Sequence, residues 1–234
     1  MKESLYDVEG IKSGKNLVFY KTFRKIIDSR YDSGYNYTII PHKGGQAMSI
    51  LSFEQNEQLW DLLEKAGAAE SEKERAKLAR QALKIDPDCL DAKVMIAESH
   101  DPQKMKTEME KLIKAEEERL REDGVFDDDC IGHFYGLIET RPYMRARYRY
   151  LQVLKMLGKT RPAIDECCDL LRLCENDNMG VRYDLLGLYA GIGALNEAEA
   201  LYERFGREQS LHALVPMAVL YYNCLLYTSD AADD

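Results

Sequence analysis

A chain of 234 residues, 45% hydrophobic and 31% charged, carries enough apolar material for one core or a short stack of repeating units. Its formal net charge of −9 argues against a broad nucleic-acid or anionic-membrane surface, because neutralising phosphates requires an excess of Lys and Arg. No apolar run approaches the roughly 18 residues of a membrane-crossing helix, and the start, Met1-Lys2-Glu3-Ser4-Leu5-Tyr6-Asp7, lacks the basic-then-apolar pattern of a secretion signal. The six cysteines, Cys89, Cys130, Cys167, Cys168, Cys174 and Cys224, make no CxxC pair and read as reduced, small hydrophobic side chains. Together these features lead us to expect a cytoplasmic protein.

Residues 1–50 are rich in Tyr, Gly, Ser and Lys and hold eight Lys or Arg against five Asp or Glu. Asn16 to Tyr20 and Tyr35 to Ile40 have β-type composition, and Pro41-His42-Lys43-Gly44-Gly45 is a breaker. A loosely ordered leader or a small hairpin is expected there. From Ser52 helical signals take over. Ser52 with Gln55 makes a capping box ahead of the stripe Leu59, Leu62, Leu63 and Ala66, which Gly67 ends. A second helix runs from about Ser71 through Ala76, Ala79, Ala82 and Leu83 and stops at Ile85-Asp86-Pro87, because the residue before a proline avoids helical backbone. A third starts at Asp88 or Cys89. Asp101-Pro102 opens a fourth, a long polar helix with Met105, Met109, Leu112 and Ile113 at helical spacing, ended by Asp123-Gly124.

Asp127 to Ile138 is expected to be helical with glycine interruptions. Thr140 should cap the next helix, whose stripe is Met144, Tyr148, Leu151, Leu154 and Leu157, with Gly158 at its end. Thr160 should cap another, carrying Ile164, Cys167, Cys168, Leu171 and Cys174. Asp177 should cap the helix of Val181, Leu185, Leu188 and Ile192. Asn196 with Glu199 reads as a second capping box, and a last helix begins near Ser210. Short helices joined by tight turns predict an all-α array of antiparallel helix hairpins.

An internal repeat organises the array. Met156 to Ala163 aligns with Gly191 to Ala198 at an offset of 35, placing Gly158 on Gly193, Ala163 on Ala198, Arg147-Tyr148 on Arg182-Tyr183 and Leu151 on Leu186. This resembles the tetratricopeptide repeat, which pairs two antiparallel helices with a period near 34. Ala82-Leu83-Lys84-Ile85-Asp86-Pro87-Asp88 is also how such a repeat commonly ends. Repeats are expected at about 53–88, 142–175 and 177–207, degenerate because the full consensus is missing. The stretch from Gly132 to Arg147, GHFYGLIETRPYMRAR, and Asn176 to Tyr183, NDNMGVRY, resemble motifs of the suppressor-of-tumorigenicity-seven-like family. That resemblance covers roughly Phe53 to Tyr222 and implies a helical-repeat fold with no established catalytic activity. The end, Cys224 to Asp234, resembles a translated transposase-type sequencing adapter. It leads us to expect a helical-repeat domain over 51–223 that continues past Asn223, with 224–234 a non-native tail.

The arginines are the leading candidate site. Arg141, Arg145 and Arg149 lie at i, i+4 and i+8 on one stripe, and Arg147 and Arg182 occupy the same place in successive repeats. If first helices line a concave groove, Arg147 and Arg182 face it as neighbours and can grip a carboxylate in bidentate fashion, with Asn178 and Tyr183 adding orientation. The partner is then a protein or an acidic peptide, and the chain is a scaffold rather than an enzyme. The competing reading is structural, with Glu139 and Asp184 pairing these arginines to fix the repeat junction. An enzyme would have to use Cys130, His133 and Glu139. On a helix Cys130 and His133 would share a face beside Asp127, Asp128 and Asp129, but two ligands do not make a metal site, nothing marks an oxyanion hole, and no cofactor is expected. A third reading gives the basic leader a nucleic-acid-binding role.

Overall fold

The computed structural model describes residues 51–126 and 130–230, with side chains through residue 225. The expectations for the leader, for Asp127 to Asp129 and for the last four residues lie outside the described residues. Among the described residues nine α-helices follow one another: α1 (Phe53–Ala68), α2 (Glu72–Ile85), α3 (Leu90–Ala97), α4 (Pro102–Glu122), α5 (Arg141–Met156), α6 (Thr160–Leu173), α7 (Val181–Ile192), α8 (Leu195–Arg204) and α9 (Leu211–Asp230). The all-α array expected from the sequence is present.

Local chemistry sets several helix ends. Ser52 and Gln55 form the expected capping box: the Gln55 N–H donates to Ser52 Oγ at 3.1 Å and the Ser52 N–H to Gln55 Oε1 at 2.8 Å. Ser71 and Asp101 accept from Glu74 and Lys104 N–H at the starts of α2 and α4. Asp177 caps α7 from three residues upstream of Gly180, its carboxylate accepting from the Val181 N–H at 2.7 Å and the Arg182 N–H at 3.1 Å.

Three expected caps differ. Thr140 stands at the N-cap position of α5, but its hydroxyl donates backward to the carbonyls of Phe134 and Leu137. Thr160 is already the first helical residue of α6 and Lys159 precedes it. Asn196 lies inside α8, which starts at Leu195 with no side-chain cap, so Asn196 and Glu199 form no capping box. The stretch expected to be helical after Asp127 is also different. Its described part holds turns and a 3₁₀ turn, Phe134–Gly136, with an antiparallel bridge between His133 and Cys174. Packing overrode the local signal here: Phe134 is fully buried against Phe126 and Tyr143, ring centroids 5.0 and 6.4 Å away.

Consecutive helices joined by turns of two to four residues and packed on each other must run in opposite directions, giving hairpins α1–α2, α3–α4, α5–α6 and α7–α8. Each second helix also packs on the first helix of the following hairpin. First helices meet one another, α1 with α3, α3 with α5 and α7 with α9. The core is therefore a chain of clusters, one among α1–α3, one among α3–α5 and a larger one reaching from α4 to α9.

The offset of 35 is visible in the backbone. At the end of α5 the Lys159 N–H donates to the Leu154 carbonyl at 2.9 Å, and at the end of α7 the Ala194 N–H donates to the Tyr189 carbonyl at 3.0 Å. Gly158 and Gly193 sit between, with φ of 65° and 69°, the left-handed conformation that lets the chain close this cap without a Cβ penalty. Ala163 and Ala198 are both fully buried, where a small side chain allows the paired helices to approach.

Candidate functional site

Arg147 and Arg182 are equivalent in position and both turn onto carboxylates of the same chain, Arg147 onto acids of α6 and Arg182 onto Asp177 just before α7 and Glu208 just after α8. Arg147 leaves α5 and meets two acids one turn apart on α6. Its Nε donates to Glu166 at 2.6 Å and its Nη2 to Glu166 at 2.9 Å and Asp169 at 3.1 Å. The guanidinium side chain is only 8% exposed and that of Glu166 12%. Tyr143, one turn earlier, accepts from Arg147 at 3.4 Å and donates to Glu117 of α4 at 3.0 Å. One fork thus links α5 to α6 and, through Tyr143, to α4.

Burial opposes the charge on Arg147, but Glu166 and Asp169 hold it firmly protonated. Asp169 is likewise held below its ordinary value: burial works against its charge and the bond from Arg147 outweighs it. Burial pushes the Tyr143 phenol up, so it stays a donor. Arg182 repeats the arrangement on α7, with Nη1 on Asp177 at 2.8 Å, Nε and Nη2 on Glu208 at 3.2 and 2.9 Å, and Nη2 donating to Tyr183 Oη at 2.7 Å.

The expectation that Arg147 and Arg182 line a groove is therefore replaced by two intramolecular clamps. The structural alternative also needs correction: their partners are Glu166, Asp169, Asp177 and Glu208, while Asp184 pairs with Lys155 of α5. Tyr183 stacks under the Arg182 guanidinium, 4.3 Å from its ring centre, and lies 5.4 Å from His212. Asn178 accepts from the Cys174 thiol at 3.2 Å. Arg141 donates to the Tyr135 carbonyl at 3.0 Å.

Arg145 and Arg149 have a different place. They reach a cleft of about 480 Å³ built by three successive first helices, α1, α3 and α5, with Arg75 of α2 at its edge. Trp60, Leu63, Val94, Met95 and Ala146 supply its apolar lining. Arg145 forms a two-pronged pair with Asp91 at 2.9 and 2.5 Å. Glu98 sits between Arg149 at 3.5 Å and Arg75 at 3.7 Å. Trp60 is the only tryptophan in the chain and is 62% exposed on the cleft wall. The Arg149 side chain is 62% exposed as well. An open aromatic face beside a solvent-facing guanidinium is an arrangement that grips an apolar side chain next to an anionic group. Sequence reading passed over Trp60 because it stands beside Leu59 in an amphipathic stretch; its being the one tryptophan was the available signal.

Cys130, His133 and Glu139 are not gathered on one helical face. The chain turns at Cys130, whose carbonyl accepts from the His133 N–H at 3.1 Å, and His133 is exposed. Burial pushes the Cys89 thiol up to about 11 and raises that of Cys167 further, which keeps both protonated at neutral pH. Among the described residues no group of three or more His, Cys, Asp or Glu could hold a metal ion, and no helix is long and apolar enough to cross a membrane. Set against known proteins, the chain matches no family model, no curated protein and no solved structure.

Proposed function

We propose that this chain is a protein-interaction scaffold, a tetratricopeptide-type array resembling the suppressor-of-tumorigenicity-seven-like family, that holds a peptide or an extended segment of a protein partner in the cleft of α1, α3 and α5. The observation that carries this reading is the exposed Trp60 on the wall of a cleft formed by three successive first helices. Stacked hairpins of this kind use the concave face of their first helices as an extended binding surface. An apolar side chain of the peptide packs on Trp60, and an acidic group lies against Arg149, whose contact with Glu98 is open to solvent. Arg145 supports the site by fixing Asp91 rather than by touching the ligand. Within this reading Arg147 and Arg182 hold the hairpins in register.

The test is selection of peptides from a displayed random library on the full chain, followed by titration read through Trp60 emission, which no other tryptophan obscures. Selected peptides should change that emission, and Trp60→Ala and Arg149→Glu should each weaken binding about tenfold, a loss of about 1.4 kcal/mol. Peptides that bind both variants as tightly as the parent chain, or that leave the emission of Trp60 untouched, would place recognition elsewhere and sink the proposal.

A further inference from the structure

We propose that the cleft of α1, α3 and α5 selects a peptide of mixed charge, one that sets a basic side chain against Glu64 of α1 and an acidic one against Arg149 of α5. This inference rests on the reading of the cleft as a peptide site and adds which peptide it takes. In composition the cleft is balanced, with Arg75, Arg145 and Arg149 against Glu64, Asp91 and Glu98. In space it is not. Asp91 and Arg145 neutralise each other through two hydrogen bonds. Glu98, its side chain 15% exposed, is shared by Arg75 and Arg149, which leaves one positive charge in excess there. Glu64 is the remaining charge. It is exposed and makes no hydrogen bond or ion pair with any described residue, whereas Asp61 on the same helix pairs with Lys65.

The two excess charges stand on opposite walls. Helix α3 packs on both α1 and α5, so Trp60 and Glu64 belong to one wall and Arg149 to the other. Arg149 meets Glu98 only at 3.5 Å and makes no hydrogen bond with a described residue. Its fork of N–H donors can therefore grip a ligand carboxylate without giving up a bond. Glu64 follows Trp60 by one turn, on the same side of α1. Beyond it, no atom lies within 4 Å of where a Cβ on Gly67 would stand, which leaves room for a long side chain. A lysine or arginine there can lay its methylene stem beside the Trp60 ring and carry its head to Glu64.

Spacing sets the order of the peptide. An extended chain turns successive side chains to opposite sides and places residues i and i+2 roughly 7 Å apart. Trp60 and Glu64 are about 6 Å apart along the axis of α1. A strand lying along α1 thus directs residues i and i+2 to Trp60 and Glu64, and the residue between them to Arg149. Its pattern is apolar, acidic, basic, in either direction. A uniformly acidic peptide is disfavoured, since it meets Glu64 on a chain of net charge −9. A uniformly basic one meets the excess charge of Arg75 and Arg149.

The experiment takes peptides selected on the full chain from a displayed random library and measures their affinity for the parent chain, Trp60→Ala, Glu64→Gln and Glu64→Lys, with helicity checked by circular dichroism. Peptides that depend on Trp60 should carry Lys or Arg two positions from the apolar residue, with Asp or Glu between. Glu64→Gln should weaken them about threefold and Glu64→Lys about tenfold. Changing the basic residue of the peptide to Glu should restore binding to the Glu64→Lys chain and abolish it for the parent. Peptides that lose affinity in Trp60→Ala but bind Glu64→Lys as tightly as the parent would overturn the charge rule and leave the cleft a peptide site. Peptides indifferent to Trp60→Ala would remove the cleft reading, and this inference with it. If Glu64→Lys loses helicity, the altered peptide on the parent chain decides: a large loss supports the contact with Glu64, and an unchanged affinity refutes it.

Discussion

Arg147 shows how a single guanidinium becomes structural. Its pair with Glu166 is largely buried, so removing the cation leaves a carboxylate facing a dry interior. Arg147→Ala should therefore cost about 3 kcal/mol in urea unfolding, the scale of a broken buried ion pair. Adding Glu166→Gln should recover part of that loss, because the stranded charge disappears. A loss below about 1 kcal/mol would mean that the clamp is no better than a surface pair. The same pairs set the response to acid. Asp169 titrates below its ordinary value because Arg147 outweighs burial, and Glu117 does so because Arg121, Tyr143 and Arg147 outweigh burial. A carboxylate with a lowered folded value contributes stability above its unfolded value and loses it as pH falls through the folded one. Thermal melts should thus hold level through the neutral range and drop below about pH 4. In Arg147→Met that drop should be shallower, and an identical acid profile would contradict the assignment.

Each helix end gives its own prediction. Gly193 closes the α7–α8 turn at a left-handed φ of 69°. Gly193→Ala should cost about 1 kcal/mol, from the clash of a Cβ with the following carbonyl, and Gly158→Ala should cost about the same if the two turns are true equivalents. Ser52→Ala at the start of α1 should cost about 1 kcal/mol, by loss of the bond that Ser52 Oγ accepts from Gln55. Two of the expected caps, Thr140 and Asn196, give way to a neighbouring element. Thr140 stands where a cap belongs, yet the buried 3₁₀ turn of Phe134 offers its hydroxyl two carbonyls on the other side. Asn196 and Glu199 have the right spacing, but the Gly193 turn starts α8 one residue before Asn196. A capping motif states what a side chain can do, and the neighbouring element decides whether it is needed.

Across the whole molecule the core is distributed along the array. The first cluster relies on Ala79, Ala82 and Ala92 with Leu59 and Leu63, whereas the cluster from α4 to α9 packs Tyr143, Phe134 and many leucines. Alanine removes far less apolar area from water than leucine or phenylalanine, so the α1–α2 hairpin should open first. Trp60 lies on α1 and reports that end of the array. In a denaturant titration, Trp60 emission should change at lower concentration than far-ultraviolet circular dichroism, as nearest-neighbour stabilisation of an array implies. Coincident transitions would show instead that the clusters unfold as one unit.

Several features were already determined by the sequence. Helical periodicity, proline and glycine punctuation and the offset of 35 fixed the all-α class, most helix positions and the equivalence of Gly158 with Gly193 and of Arg147 with Arg182. These signals are local or repeat along the chain, so no distant contact is needed to read them. What only the tertiary structure decided is direction and company. Arg147 and Arg182 repeat faithfully, but whether a guanidinium points to a groove or to Glu166 and Glu208 depends on where the second helix and the following loop lie. The cleft joins Trp60, Asp91 and Arg145, which are 31 and 54 residues apart along the chain.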